Sequence, residues 1–159
     1  MTNYLIDIQQ HTQDALPVQL EDINTWASLA LKDLVDAGEL TILLVDKQEI
    51  QALNKNYRQK DKPTNVLAFP SDVPEIVELD TPLLGDIIIC PEVLHEESIE
   101  LNQPVHQHWA HIVIHGVLHL LGFDHIQADE ALDMQTLEIK LLSEVGFANP
   151  YEGEDDTYE

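Results

Sequence analysis

Three histidines in one short stretch have the spacing of a metal site. From His108 to His125 the chain reads HWAHIVIHGVLHLLGFDH, with His115, His119 and His125 in the pattern H-x3-H-x5-H and Gly122 between the last two. In a helix of about 3.6 residues per turn, His115 and His119 stand one turn apart on one face, about 40° apart in azimuth and about 6 Å along the axis. Both rings can reach one ion. A continuing helix would carry His125 about 15 Å beyond His115, so the chain must turn back. Gly122 stands where that turn is needed, because glycine enters the left-handed conformation that ends many helices without steric cost.

Three converging imidazoles suit zinc, which binds neutral histidine nitrogens at about 2.0–2.1 Å and, with three protein ligands, keeps a fourth position for water or substrate. The expected cofactor is one Zn2+ per chain on His115, His119 and His125. Structural zinc sites are usually closed by four ligands and rich in cysteine. Cys90 is the only cysteine here and lies far from the motif. The plainer alternative for any one histidine is a buried ring with a satisfied hydrogen bond. Ile112, Val113, Ile114, Val117, Leu118, Leu120 and Leu121 surround the helix with apolar groups, which predicts burial, and buried polar rings need partners.

A second group of residues suits an anionic ligand. The formal charge is −23, from 7 basic and 30 acidic residues, which excludes broad nonspecific attraction to nucleic acid. Any polyanion must be met locally. Lys55, Arg58, Lys60 and Lys62 place four of the seven cations within eight positions. The alternative reading is that they complement a helix C-terminus and sit in solvent.

These groups need a scaffold. Residues 3–9 alternate as a strand with Tyr4, Ile6 and Ile8 on one face. A helix is expected from Asp22, as its cap, to Ala37, with Trp26, Leu29, Ala30, Leu34 and Val35 as its stripe and Gly38 as its stop. Leu40–Val45 is a short strand, and Asp46 caps a helix carrying Ile50, Leu53 and Tyr57. A strand fenced by Pro63 and Pro70 follows, then a loop or flap over Ser71–Pro82, and a fourth strand over Leu84–Cys90. Pro91 opens a helix that ends near Asn102–Pro104, where the histidine helix begins. A last amphipathic helix spans Ala128–Val145, with Leu132, Met134, Leu137, Ile139, Leu141 and Leu142 as its apolar set and Gly146 as its stop.

Four strands, mostly early, and about four helices, mostly late, predict an α+β fold with a small mixed sheet, the histidine helix packed beneath it. A length of 159 residues with 44% hydrophobic content supports one domain, over residues 1–150. Tyr151–Glu159 carries five acids and is expected to be a disordered tail. One cysteine, no signal-peptide pattern and no membrane-length apolar run predict a cytoplasmic protein.

The string His115-Gly-Val-Leu-His-Leu-Leu-Gly-Phe-Asp-His125 resembles the signature of the YbeY family of bacterial endoribonucleases. The resemblance extends to Leu53-Asn-Lys-Asn-Tyr-Arg58, Asp61-Lys-Pro-Thr-Asn-Val-Leu-Ala-Phe-Pro70, Leu84-Gly-Asp-Ile87 and His108-Trp-Ala-His111, in family order. It implies a zincin-like fold, zinc on the three histidines and cleavage of single-stranded RNA. It also implies a role in 16S ribosomal RNA 3′-end maturation and ribosome quality control. The family's key arginine matches Arg58, which would orient the scissile phosphate as the catalytic cation, with Lys55, Lys60 and Lys62 on neighbouring phosphates. Asn65 and Ala68 stand where many members have Asp and Ser.

The same histidine spacing fits the metzincin proteases, but their catalytic glutamate is replaced by Gly116. Metallopeptidase is therefore one alternative, and a non-catalytic, ribosome-associated metal-binding protein is another. The general base is unassigned. His108 and His111 extend the histidine face backward and could shuttle protons, contact RNA or simply pack, and Asp124 could cap the last helix or orient a ligand. An acidic chain would need docking on a ribosomal protein or GTPase to stay near a ribosome.

Overall fold

A computed structural model describes residues 4–13, 15–71, 82–123 and 128–151. Strands β1 (Tyr4–Gln10), β2 (Gly38–Leu44), β3 (Val66–Pro70) and β4 (Leu83–Ile89) form one mixed sheet in the order β1-β2-β4-β3. β1, β2 and β4 run parallel, and β3 pairs antiparallel with β4 along the opposite edge. Five helices lie among the described residues: α1 (Leu20–Leu31), α2 (Lys47–Arg58), α3 (Pro91–Glu100), α4 (Val105–Leu120) and α5 (Ala128–Glu144). None is long and apolar enough to cross a membrane.

Alternation along the strands divides the core. Leu40, Ile42, Leu44, Ile87 and Ile89 join the large cluster that includes α1 and α4, whereas Leu67, Ile88, Val45 and Cys90 form a smaller cluster with Ile50 of α2. The two faces of the sheet thus carry different helices. α4 is buried on nearly every side, because α1, α3, α5 and the β3–β4 edge all pack on it. Its apolar sequence follows from that position.

Two expectations about α1 change. The helix begins after Gln19, whose N–H donates to the Asp22 carboxylate at 3.2 Å, so Asp22 sits in the first turn and not at the cap. It also ends at Leu31, six residues short of Ala37, and Leu34 is exposed. Gly38 is no helix stop. It opens β2, where a Cβ would lie 2.5 Å from Leu84 Cδ1 and force that side chain to move, so its glycine serves close packing. Other signals hold: Asp46 accepts from Glu49 N–H at 2.9 Å to cap α2, and Tyr4, Ile6 and Ile8 face inward. In α5, Met134, Leu141 and Leu142 are buried but Leu132 is exposed. The flap expected at Ser71–Pro82 falls almost wholly outside the described residues, as do Asp124, His125 and 152–159.

Candidate metal centre

α4 ends as its sequence requires. Gly122 has φ +103°, Phe123 N–H donates to Leu118 C=O at 3.0 Å, and Gly122 N–H donates to His119 C=O at 3.0 Å. These two bonds make a Schellman turn, which satisfies the last carbonyls and redirects the chain. Nothing would obstruct a Cβ at Gly122, so the positive φ alone selects glycine.

Four histidines line one face of α4. His108, His111, His115 and His119 succeed one another at ring separations of 6.3, 6.1 and 4.5 Å. His108 and His111 are fully buried, His115 is 4% exposed and His119 is half-buried. The face opens toward its C-terminal end. Burial excludes RNA contact for His108 and His111 and leaves them roles inside the protein.

Each inner ring meets a carboxylate. His115 Nδ1 lies 2.9 Å from Glu138 Oε2, and His111 Nε2 lies 3.0 Å from the same oxygen. Tyr151 Oη donates to Glu138 Oε1 at 2.6 Å and lies 3.1 Å from His111 Nε2. His108 Nε2 lies 2.9 Å from Glu97 Oε1, and both Glu97 oxygens accept from the Asn65 amide at 3.2 Å. Burial by itself would raise the Glu138 carboxyl, but hydrogen bonds from His111 and His115 outweigh it and hold the group below the usual carboxylate range. Burial lowers His111, partly opposed by its hydrogen bond to Glu138.

His111, His115 and Glu138 form a group that could bind a metal ion, with one ligand atom from each lying within 4.8 Å of the others. An ionised carboxylate only accepts hydrogen bonds, so His115 meets Glu138 with a proton on Nδ1, and in the neutral ring Nε2 is then the lone-pair nitrogen. That nitrogen faces His119 Nε2 at 3.1 Å. Two nitrogens on one tetrahedral zinc would be roughly 3.3 Å apart at the usual bond lengths. The residues present fit such an ion, and the half-buried side of His119 leaves it approachable.

The basic cluster occupies the turn after α2. Gln59 takes φ +57°, and Asn54 Nδ2 donates to Lys62 C=O at 2.9 Å, which fixes the turn. Lys55 pairs with Asp61 at 3.9 Å in solvent. Arg58, Lys60 and Lys62 are exposed and make no ion pair among the described residues. No described contact joins Arg58 to the histidines. Both regions touch β3, however, since the Tyr57 ring packs edge-on against Phe69 at 5.1 Å while Gly116 of α4 lies close to Val66.

Neither Glu138 nor Tyr151 lies in the histidine motif or the basic cluster. Glu138 had a legible signal: it falls four residues after Met134 and three and four before Leu141 and Leu142, on the buried stripe of α5, where a carboxylate needs a partner. Tyr151 had none, because it stands at the head of an acidic run.

A family model described as "Endoribonuclease YbeY" matches residues 6–146. Curated relatives called "Endoribonuclease YbeY" from Legionella pneumophila strains Corby and Lens are 56% identical over 156 residues, covering 98% of this chain and 99% of each relative. Among solved structures, the solution structure of TM1509 from Thermotoga maritima superposes with a TM-score of 0.59 at 24% identity, covering 97% of this chain and 100% of that one. That likeness concerns the fold.

Proposed function

Because the chain belongs to the endoribonuclease YbeY family, and is therefore a nuclease and a hydrolase, we propose that it is a zinc-dependent endoribonuclease that cleaves single-stranded RNA. The proposed ligands are His115, His119 and His125, with one zinc per chain. The observation that carries this reading is the facing pair of Nε2 atoms on His115 and His119, 3.1 Å apart, with the Glu138 carboxylate behind the first ring. When bound, zinc would supply Lewis acidity toward a phosphoryl oxygen and lower the pKa of water at its open position toward about 7.

The chain's own residues do the rest. Arg58 keeps its charge at any working pH and offers two parallel donors to one phosphate, orienting it and stabilising charge that develops on its oxygens. Lys60 and Lys62 hold neighbouring phosphates, and Lys55 joins them by exchanging its exposed contact with Asp61. β3 is an edge strand with the cations on one side and α4 on the other, which supports a single strand of RNA crossing that edge between Arg58 and His119. The general base is left unassigned. At the level of biology, the reading is 16S ribosomal RNA 3′-end maturation and ribosome quality control in the cytoplasm, assisted by docking on a ribosomal protein or GTPase.

Peptidase chemistry finds no support in the site. The metzincin glutamate position is Gly116, packed under Ile87 and Val66. Purified protein with zinc, offered a labelled single-stranded RNA and an unstructured peptide, is expected to cut only the RNA, and His119→Ala is expected to lose both zinc and cutting. Cleavage of the peptide, or RNA cleavage that survives His119→Ala, would refute the assignment.

A further inference from the structure

We propose that Glu138 is a positioning residue for the metal centre, and that Tyr151, beyond the last helix, latches it, so that the segment after α5 sets how tightly the site holds its cation. The inference rests on the zinc reading above and extends it to residues outside the ligand set.

Proton bookkeeping carries the argument. Glu138 is fully buried, and three donors converge on its carboxylate: His115 Nδ1 and His111 Nε2 on one oxygen, Tyr151 Oη on the other. Because a carboxylate only accepts, His115 Nδ1, His111 Nε2 and Tyr151 Oη must each carry a proton toward it. A neutral His115 is then confined to the tautomer whose Nε2 is a lone pair, and the ring is held with Nε2 facing His119. A ligand histidine whose other nitrogen is fixed by a carboxylate binds metal more tightly than one free to rotate or change tautomer. Tyr151 gives its proton to Glu138 Oε1, and its oxygen shares the His111 Nε2–H with Glu138 Oε2, at 3.1 and 3.0 Å. His111 and Tyr151 thus hold the two sides of the carboxylate.

The latch is built into the fold. After Gly146, Phe147 N–H closes α5 onto Leu142 C=O at 3.0 Å. Pro150 C=O accepts from the Gln103 side chain at 3.2 Å, and Tyr151 N–H donates to Asn149 Oδ1 at 2.8 Å. The Tyr151 ring then stands edge-on to His111 at 5.3 Å. This segment is tied to the α3–α4 junction as well as to α5, so its hydroxyl arrives from a fixed direction.

The rival is that Glu138 merely satisfies two buried rings and contributes to folding alone. Zinc affinity by competition with a chromophoric chelator, thermal unfolding of the metal-free protein, and the His115 tautomer by nitrogen-detected NMR separate the two. We expect Glu138→Gln to weaken zinc about 10- to 100-fold and to let His115 exchange between tautomers. Tyr151→Phe, which keeps the ring and removes only the hydroxyl, should weaken zinc by several-fold while the metal-free protein stays folded. Glu138→Asp should recover part of the affinity. A Tyr151→Phe protein with unchanged zinc affinity and the Nδ1-protonated His115 overturns the latch, whatever Glu138→Gln does. A folded Glu138→Gln protein that binds zinc as the parent does overturns the positioning role and leaves the zinc reading intact. A parent protein that does not bind zinc overturns both.

Discussion

The Asn65 side-chain amide donates to both oxygens of the Glu97 carboxylate at 3.2 Å, and one of those oxygens meets the buried His108 ring at 2.9 Å. The amide at position 65 is therefore matched to an acid across α3. Asn65→Asp would oppose two carboxylates at contact distance while removing a donor, at a cost of about 1–3 kcal/mol. Urea unfolding should show that loss, and Glu97→Gln in the same chain should restore most of it. An Asn65→Asp protein as stable as the parent would show that the contact is inconsequential.

Arg58, Lys60 and Lys62 carry no ion pair among the described residues of a strongly acidic chain. If they meet phosphates, Arg58→Ala should lower RNA cleavage about 10²- to 10³-fold with zinc content unchanged. Lys60→Ala and Lys62→Ala should act mainly on binding, each flattening the salt dependence of log K by about 0.7. Steady-state cleavage and filter binding across a salt series check both. An unaltered rate for Arg58→Ala removes the arginine from the mechanism.

A Cβ placed on Gly116 would lie 3.0 Å from Ile87 Cγ2 and 3.3 Å from Val66 Cγ2. Gly116→Ala is expected to destabilise by about 1–2 kcal/mol, since the strand side chains must give way. Gly116→Glu, which restores the metzincin spelling, should fail to fold or remain without peptidase activity. Calorimetry and a fluorogenic peptide assay give the answer, and a stable, peptide-cleaving Gly116→Glu protein would contradict the packing argument.

Acid should destabilise the metal-free protein over two pH ranges. His111 is lowered from 6.5 by burial, against the opposing pull of Glu138, so below about pH 6.5 the unfolded chain takes up its proton before the folded one. The contribution of a neutral His111 is thus full above that pH and shrinks as pH falls. Glu138 is depressed from 4.5, so its share is present above about pH 4.5 and is lost as pH falls further. Urea midpoints between pH 7.5 and 4 should decline, with a shallower slope between pH 6.5 and 5 for His111→Asn. Identical slopes for parent and variant would mean that another group controls acid stability.

Much of this was legible in the sequence, for identifiable reasons. Glycine at position 122, the turn of α4 between His115 and His119, and the α+β order of elements depend on local geometry and periodicity, which a sequence displays directly. The end of α1 is not legible, because Gly38 packs against Leu84 in β2 and ends no helix, and a sequence does not distinguish those uses. Glu138 reaches the site by α5 docking on α4 across 23 residues from His115, and Tyr151 by a return of the chain after Gly146. Both are products of tertiary packing, although the acid on the apolar stripe of α5 was a clue that the buried histidines had a partner.

On the zinc reading, one cation sits between His115, His119 and His125. An anomalous difference map at the zinc edge, from crystals of protein purified without chelators, would locate that cation. A single peak is expected about 2.0–2.1 Å from Nε2 of His115 and Nε2 of His119, with His125 completing three protein ligands and one position left to solvent. No peak at that place, or a peak lying instead among His111, His115 Nδ1 and Glu138, would contradict that reading.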